Sequence, residues 1–325
     1  MARILGLGHF SFSVEIGQGW LLVGARTNIF GASAQRTYWS ILTPMNWNFL
    51  AHFTKSWPFL SGLSKTSPYP HWTGTGLSHT GRVRSSNQDA FAVDNHLGLW
   101  VVADGMGGHA GGNIASDIAV SITTKEVRSA LAGIFTHKYR AVSQRADILR
   151  EAVAAAGAEI EKKASRELQL SGMGTTVVAA LWCPYPSTSV IIGHLGDSRA
   201  YLIRRQTIAA LTTDHSLVAG LLRAGKLTDV EARNHPQRHV LSNALGLTKH
   251  SAPDITIHPL EPSDQLLLCT DGLTKMLSEA EILAAILTPG LSDAERCGAL
   301  INHANGRGGE DNTTVLLITP ASNST

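Results

Sequence analysis

One stretch of the sequence limits the possible folds and sites more than any other. It is residues 101–112, Val-Val-Ala-Asp-Gly-Met-Gly-Gly-His-Ala-Gly-Gly. Residues 97–103 predict a buried strand, so Asp104 should stand where that strand passes into a loop. Five glycines follow this acid, and glycine lets the backbone come close to a ligand. The stretch predicts a site for something small and charged: a phosphate, a dinucleotide or a metal ion.

The composition is typical of a globular protein and argues against two classes of partner. Of the 325 residues 43% are hydrophobic and 16% charged, and the net charge is +2. A charge so near zero, without a run of lysine or arginine, does not favour nucleic acid or a membrane surface. No apolar run reaches the roughly 18 residues of a membrane helix. The three cysteines form no Cys-x-x-Cys pair, so we expect a cytoplasmic protein.

The composition changes near residue 73. Residues 1–73 contain five of the seven tryptophans and a single acid, Glu15, and they show no clean helical or strand period. Residues 67–70, Ser-Pro-Tyr-Pro, predict a linker. Three interpretations of this aromatic N-terminal extension stay open: a poorly ordered extension, an over-long start to the coding region, or a segment that docks a partner. Residues 74–320 should form the main domain and residues 321–325 a C-terminal tail.

The main domain contains helical and strand patterns in separate clusters. Apolar periodicity predicts long helices over residues 113–134 and 146–168. Aliphatic and β-branched runs predict strands over residues 90–93, 97–103, 175–183, 189–195, 200–204, 265–270 and 313–319. Capping boxes that start at Thr228, Ser278 and Ser292 predict three further helices. Clustered strands with helices grouped apart predict an α+β fold, with stacked sheets flanked by helices.

Acidic residues recur at the ends of the predicted strands, usually beside a glycine or an asparagine. They are Asp89, Asp104, Asp197, Asp271 and Asp311. A single Asp-Gly pair indicates only a turn, but five acids at strand ends should converge on one rim of a compact domain. Two charges about 4 Å apart repel by roughly 4 kcal/mol at an effective dielectric of 20, so such carboxylates need a cation. Oxygen ligands with few histidines favour Mg²⁺ or Mn²⁺ over zinc.

Metal ions at this rim would suit hydrolysis of a phosphate ester. A pair of divalent ions about 4 Å apart activates a water for in-line displacement at phosphorus. Arg84 offers a planar fork for a phosphate dianion; the alternative interpretation is a surface arginine. Residues 105–110 also satisfy a relaxed dinucleotide fingerprint, but no second strand ending in an acid follows about 20 residues later. The metal is therefore favoured over the dinucleotide.

Six ordered motifs over residues 76–320 resemble those of the metal-dependent protein phosphatases of the PPM, or 2C, family in its compact bacterial form. The motifs begin at Arg84, Asp104, Gly174, Gly196, Thr270 and Gly309. The resemblance implies a four-layer α-β-β-α sandwich, with two central antiparallel sheets flanked by pairs of helices. It also implies that the protein is a monomeric protein-serine/threonine phosphatase. Its substrates would be phosphorylated proteins, and it would reverse the phosphorylation made by a bacterial serine/threonine kinase.

The resemblance implies a ligand set for two ions, Mn²⁺ or Mg²⁺. Asp104 would bridge both ions, and Gly105 would offer its backbone carbonyl. Asp271 and Asp311 would complete the inner ligands, and Asp197 matches the ligand of a weaker third ion that is found in bacterial members.

Two further positions take roles from the same resemblance. Asp89 matches the acid that holds metal-bound water, and Arg84 matches the arginine that binds the substrate phosphate. The segment Val218 to Gly246 matches a variable flap beside the site that helps to choose substrates.

Some alternatives remain open at this stage. Met106 stands where animal relatives carry a histidine thought to protonate the leaving group, so the general acid is unassigned. His109 is one candidate, although a histidine in a glycine loop more often fixes the loop. A catalytically silent binding module is a rival function, but it should have lost one of the inner acids. A phosphatase of anti-sigma-factor antagonists is a second rival.

Overall fold

The computed structural model describes residues 10–17, 20–27, 37–42, 71–132, 141–184, 187–247 and 251–321. Contacts divide the chain into two units, Met1–Thr66 and Ser67–Thr325. The first unit contains an antiparallel sheet with the order β1 (Phe10–Gly17), β2 (Trp20–Thr27) and β3 (Thr37–Leu42). These strands were not predicted, because residues 1–73 show no clean alternating pattern of apolar and polar residues.

Two antiparallel sheets form the centre of the second unit. Their strands are β4 (Trp72–His79), β5 (Asp89–Asp94), β6 (Leu99–Met106), β7 (Gly174–Thr175), β8 (Val177–Cys183), β9 (Ser189–Leu195), β10 (Arg199–Arg204), β11 (Thr207–Ala210), β12 (Asp254–Pro259), β13 (Gln265–Cys269) and β14 (Thr313–Pro320). One sheet has the order β11-β10-β13-β14-β4 and the other β12-β9-β8-β6-β5, with β7 paired to β6. Strand β4, the first strand of this unit, thus begins two residues before the predicted domain start at residue 74.

The described helices of this unit are α1 (Gly108–Leu131), α2 (Val142–Arg166), α3 (Leu217–Arg223), α4 (Asp229–Asn234), α5 (Asp271–Thr274), α6 (Glu279–Ile286) and α7 (Asp293–Gly306). Of these, α1, α2, α6 and α7 cover the outer faces of the two sheets. Side chains of α1 and α2 pack on β6, β8 and β9, and those of α6 and α7 pack on β10, β13 and β14. A third apolar cluster lies between the two sheets.

Strand β6 shows how the sequence produces these layers. Val101 and Ala103 pack toward α1 and α2, whereas Trp100 and Val102 pack between the sheets. Because successive side chains of a strand point to opposite faces, a continuous apolar run is buried on both sides. The predicted four-layer α-β-β-α sandwich and α+β class are confirmed.

The glycine-rich stretch differs from its prediction in two details. Strand β6 continues through Asp104 and Gly105 to Met106, because β7 pairs with its last two residues. Helix α1 begins at Gly108, five residues before the predicted start at 113. Glycines disfavour a helix interior, so the sequence pattern indicated a loop where the first helical turn is found. Gly107, with φ of 122°, makes the change of direction between strand and helix.

Candidate active site

Strand ends from both sheets meet around one cavity of about 620 Å³. The site residues predicted from sequence that line it are Arg84, Asp104, Gly105, Asp197, Asp271 and Asp311. Asp89 is not part of this lining and stands opposite Asp104 in the β5–β6 register. The fold therefore brings together acids that are up to about 200 residues apart, as the position of each at a strand end predicts.

Two threonine hydroxyls donate hydrogen bonds to one carboxylate oxygen of Asp89. Thr270 Oγ1 and Thr314 Oγ1 donate to Asp89 Oδ2 at 2.9 and 2.7 Å. Its second oxygen, Oδ1, is buried and has no hydrogen-bond partner. Burial raises the pKa of Asp89 to about 7, against the opposing effect of the two hydroxyls. One oxygen of this carboxylate is fixed by the protein and the other lacks a partner.

Asp104 and Gly105 are positioned by the backbone of β6. Thr176 Oγ1 accepts from the Asp104 amide at 3.0 Å, and the Thr175 hydroxyl donates to the Asp104 carbonyl at 2.8 Å. Burial, followed by the charges of Asp89 and the other acids, raises the pKa of Asp104 well above its usual value. A Cβ at Gly105 would lie 2.0 Å from the Gly112 carbonyl oxygen. Only glycine therefore allows β6 to pass this close to α1.

Asp271 and Asp311 share a cation that the sequence analysis did not identify. Lys275 Nζ contacts Asp271 Oδ2 and lies 3.3 Å from Asp311 Oδ2. Arg84 Nη2 lies 3.0 Å from the same Asp311 oxygen. The other carboxylate oxygen of Asp271 is buried without a hydrogen-bond partner. Lys275 follows Asp271 by one helical turn, a spacing at which side chains meet.

Asp197 approaches the cavity from a separate turn after β9. It follows Gly196, whose φ of 111° lies in the region that favours glycine. Burial raises the pKa of Asp197 to about 7, and the charges of Asp271 and Asp214 act in the same direction. Asp197 therefore belongs to the same group of mutually repelling acids.

Asn312 was also missed as a site residue. Its Oδ1 accepts from the Gln88 amide at 2.8 Å, and its Nδ2 donates to the carbonyls of Thr80 and Ser86 at 2.8 and 2.9 Å. One side chain thus holds the loop that carries Arg84 to the strand end that carries Asp311. The only signal in the sequence was its position directly after that acid.

The donor set fits hard divalent cations. Its charged members are carboxylates, and two of their buried oxygens, Asp89 Oδ1 and Asp271 Oδ1, lack a partner. Unpaired buried carboxylate oxygens are costly, and raised pKa values express that cost. Among the described residues no three of these acids bring ligand oxygens within 4.8 Å of one another. The acids are thus spread more widely than a single ion held by three carboxylates requires.

The sequence matches the family model described as "Protein phosphatase 2C" over residues 75–303. The chain belongs to the protein phosphatase 2C family. A serine/threonine phosphatase of Listeria welshimeri is 38% identical over 241 residues, which cover 73% of this chain and 92% of that protein. Protein phosphatase PhpP of Streptococcus pneumoniae is 36% identical over 260 residues, with 74% and 95% covered. The predicted family and enzyme class, a protein-serine/threonine phosphatase, are confirmed.

Solved structures of the family agree with this assignment. The serine/threonine phosphatase of S. agalactiae superposes with a TM-score of 0.68 at 35% identity, covering 77% of this chain and all of that one. The catalytic domain of the phosphatase PstP, in complex with two manganese ions, gives a TM-score of 0.64 at 30% identity, with 76% and 97% covered. Members of this family are metal-dependent, so the silent module is not favoured.

Some of the remaining predicted residues lie at the edge of the cavity. Met106 lines it, as do Val240 and Leu241 from the segment 218–246. The side chain of His109 lies outside the described part of the chain. The three cysteines are buried. In the described ranges, helices are too short or too polar to cross a bilayer.

Proposed function

We propose that this chain hydrolyses phosphoserine and phosphothreonine side chains in proteins at the cavity formed by Asp104 and its neighbouring acids. The observation that carries the proposal is the convergence of carboxylates from four strand ends on one wall, with an arginine beside them. In this proposal Asp104, Asp271, Asp311 and the Gly105 carbonyl hold two Mn²⁺ or Mg²⁺ ions. When bound, the ions would supply Lewis-acid activation of water for attack at phosphorus.

The protein's own groups divide the remaining tasks. Arg84 is half-exposed at the cavity, and its planar guanidinium suits two oxygens of a phosphate dianion. Asp89 keeps one oxygen on two threonine hydroxyls, which leaves Oδ1 to accept a hydrogen bond from water inside the site. We assign Asp197 to a third, weaker ion, because its carboxylate reaches the cavity from a separate turn.

The decisive experiment measures hydrolysis of p-nitrophenyl phosphate and of a phosphothreonine peptide with Mn²⁺, and again after EDTA. We expect turnover only with metal. Asp104→Asn and Asp271→Asn should each lower kcat by at least about 100-fold while the thermal midpoint stays within a few degrees, because each removes a charged ligand. A protein that is inactive with metal, or active without it, would refute the mechanism. A variant with near-normal rate would remove its residue from the ligand set.

The physiological role is proposed from the same site. We infer that the substrates are proteins phosphorylated by a bacterial serine/threonine kinase, since the relatives are bacterial serine/threonine phosphatases. Phosphoproteome changes after deletion of the gene would identify those proteins. We further propose a cytoplasmic protein, because its buried cysteines form no Cys-x-x-Cys pair, and a monomer, as the family resemblance implies. Fractionation and light scattering test these two points.

The division of the chain into an extension, residues 1–73, a phosphatase domain, residues 74–320, and a tail, residues 321–325, is also a proposal. Comparison of the full-length protein with a form that begins just before Trp72 tests the extension. Equal rate, stability and partner binding would exclude a docking role for residues 1–73.

A further inference from the structure

A short bridge at the edge of the cavity closes the flap segment 218–246. Ser216 and Leu241 pair in antiparallel fashion, and the Leu217 amide donates to the Val240 carbonyl at 2.9 Å. Val240, Leu241 and His239 line the cavity beside the carboxylates. The position of this bridge therefore decides where one wall of the proposed active site stands.

His215 connects this bridge to the turn that carries Asp197. Its backbone amide donates to the Gly196 carbonyl at 2.7 Å, and the Ser242 amide donates to the His215 carbonyl at 2.9 Å. The Gly196 amide donates in return to His215 Nδ1 at 3.2 Å. One residue thus makes hydrogen bonds both to the turn before Asp197 and to the chain leaving the flap bridge.

The hydrogen-bond partners of the two ring nitrogens, Nδ1 and Nε2, define which tautomer of His215 this arrangement needs. Nδ1 accepts a hydrogen bond from the Gly196 amide, so in a neutral ring the proton is on Nε2. Nε2 lies 3.1 Å from Asp254 Oδ2 on the edge strand β12. A carboxylate accepts hydrogen bonds, so Asp254 favours the proton on Nε2 and keeps Nδ1 free to accept.

Gly196 depends on these contacts because it has no side chain of its own. Its φ of 111° favours glycine, and a Cβ there would lie 2.6 Å from Thr176. Both its amide and its carbonyl bind His215. The Arg199 guanidinium donates to both oxygens of Asp214 at 2.8 and 2.7 Å and joins the same two chain segments again. The turn and the flap bridge are therefore built as one unit.

A metal site is the obvious alternative for this group. His194, His215 and Asp254 each bring one ligand atom to within 4.8 Å of the others. A neutral histidine that binds a cation through Nε2 must carry its proton on Nδ1. At His215 that position faces the N–H of Gly196, and two donors would then oppose each other. At His215 the observed contacts therefore fit the hydrogen-bonded arrangement rather than a cation bound through Nε2.

We propose that His215 is a positioning residue, which fixes the flap bridge and the Asp197 turn relative to each other, and that Asp254 selects the tautomer required. The effect on peptide substrates rests on the proposed function, whereas the structural link does not. His215 is not among the residues that line the cavity; it acts through Gly196 and the bridge.

Three substitutions distinguish the contributions of the two ring nitrogens of His215. His215→Asn places an acceptor where Nδ1 stands, His215→Gln places polar atoms nearer to Nε2, and His215→Ala has neither. We expect the Asn variant to keep the KM for a phosphothreonine peptide within about twofold. The Gln and Ala variants should raise that KM about two- to tenfold, with a smaller change in kcat for p-nitrophenyl phosphate. His258→Asn, on the same strand as Asp254, is the matched control and should change neither.

Hydrogen exchange tests the structural link without relying on activity. The Gly196 amide and the amides of the flap bridge should exchange about two- to tenfold faster in the Ala and Gln variants than in the wild type or the Asn variant. Asp254→Ala should raise exchange at Gly196 by a smaller factor, because it frees the other tautomer. Nitrogen NMR of wild-type His215 should show the proton on Nε2.

The outcomes distinguish this proposal from the proposed function. Inactivity of the wild-type protein with Mn²⁺ would refute the proposed function and leave the exchange measurements valid. Equal exchange in all variants, an Asn variant that behaves like the Ala variant, or a proton on Nδ1 of wild-type His215 would each overturn the positioning role.

Discussion

Replacement of Lys275 by glutamine should make the protein bind Mn²⁺ more tightly while destabilising its metal-free form. The ammonium lies 3.3 Å from Asp311 Oδ2 and also contacts Asp271. Two unit charges at that distance attract each other by about 5 kcal/mol at an effective dielectric of about 20. Water reaches 29% of the lysine side chain, so we expect a net effect near 1.4 kcal/mol, which is about tenfold in Kd.

The sign of each effect follows from the contacts. Lys275 neutralises the two acids in the absence of metal, so its loss should lower the free energy of unfolding of the metal-free protein by about 1–3 kcal/mol. Each kcal/mol shifts the thermal unfolding midpoint by about 2–4 °C in a domain of this size. The same lysine repels an incoming cation, so its loss should favour binding. Calorimetric titration of stripped protein with Mn²⁺ and thermal melts in EDTA measure the two quantities. Lys226→Gln, in the exposed flap, is the control. Unchanged or weaker Mn²⁺ binding by Lys275→Gln would refute the reasoning.

Two further predictions concern the same acids. Gly105→Ala should cost at least about 3 kcal/mol in chemical denaturation, because its Cβ would lie 2.0 Å from a backbone oxygen; a loss below about 1 kcal/mol would mean that β6 and α1 can separate. The carboxyls of Asp89 and Asp197 have pKa values raised from 3.8 to about 7. They bind more protons in the folded than in the unfolded state within that window, so metal-free stability should fall as pH rises from about 4 to 7. Melts in EDTA and in Mn²⁺ test this: Mn²⁺ should flatten the dependence and Asp197→Asn should reduce it, whereas equal slopes in EDTA and Mn²⁺ would contradict it.

The acids of the site were predictable because each carries its own local signal. Asp104 and Asp271 directly follow apolar runs and precede glycine, and Asp311 precedes one such run. A run of that kind predicts a strand, and a strand end in a stacked-sheet fold lies on a rim. The convergence of the acids therefore follows from secondary structure alone and needs no knowledge of distant pairs.

The groups that support these acids carry no such signal. The sequence indicates only that Thr314 is a β-branched residue of a strand, yet its hydroxyl binds Asp89, 225 residues earlier in the chain. The sequence around Lys275 indicates only an ordinary lysine of a helix. Their roles depend on which strands become neighbours, β14 beside β13 and β4, and a single sequence does not specify that order. Sequence patterns thus locate the candidate ligands better than the residues that orient them.

Convergence of the acids also links metal binding to folding. Asp89 and Asp104 stand opposite each other across β5 and β6, and like charges in that relation destabilise a sheet. Lys275 and Arg84 contact the neighbouring Asp271 and Asp311, but Asp89 and Asp104 keep raised pKa values. A ligand that binds only the folded state stabilises it by RT ln(1 + [L]/Kd). Under the proposed function, the repulsion that destabilises this group of acids without metal would favour cation binding, and the stability of the protein should rise with Mn²⁺ concentration.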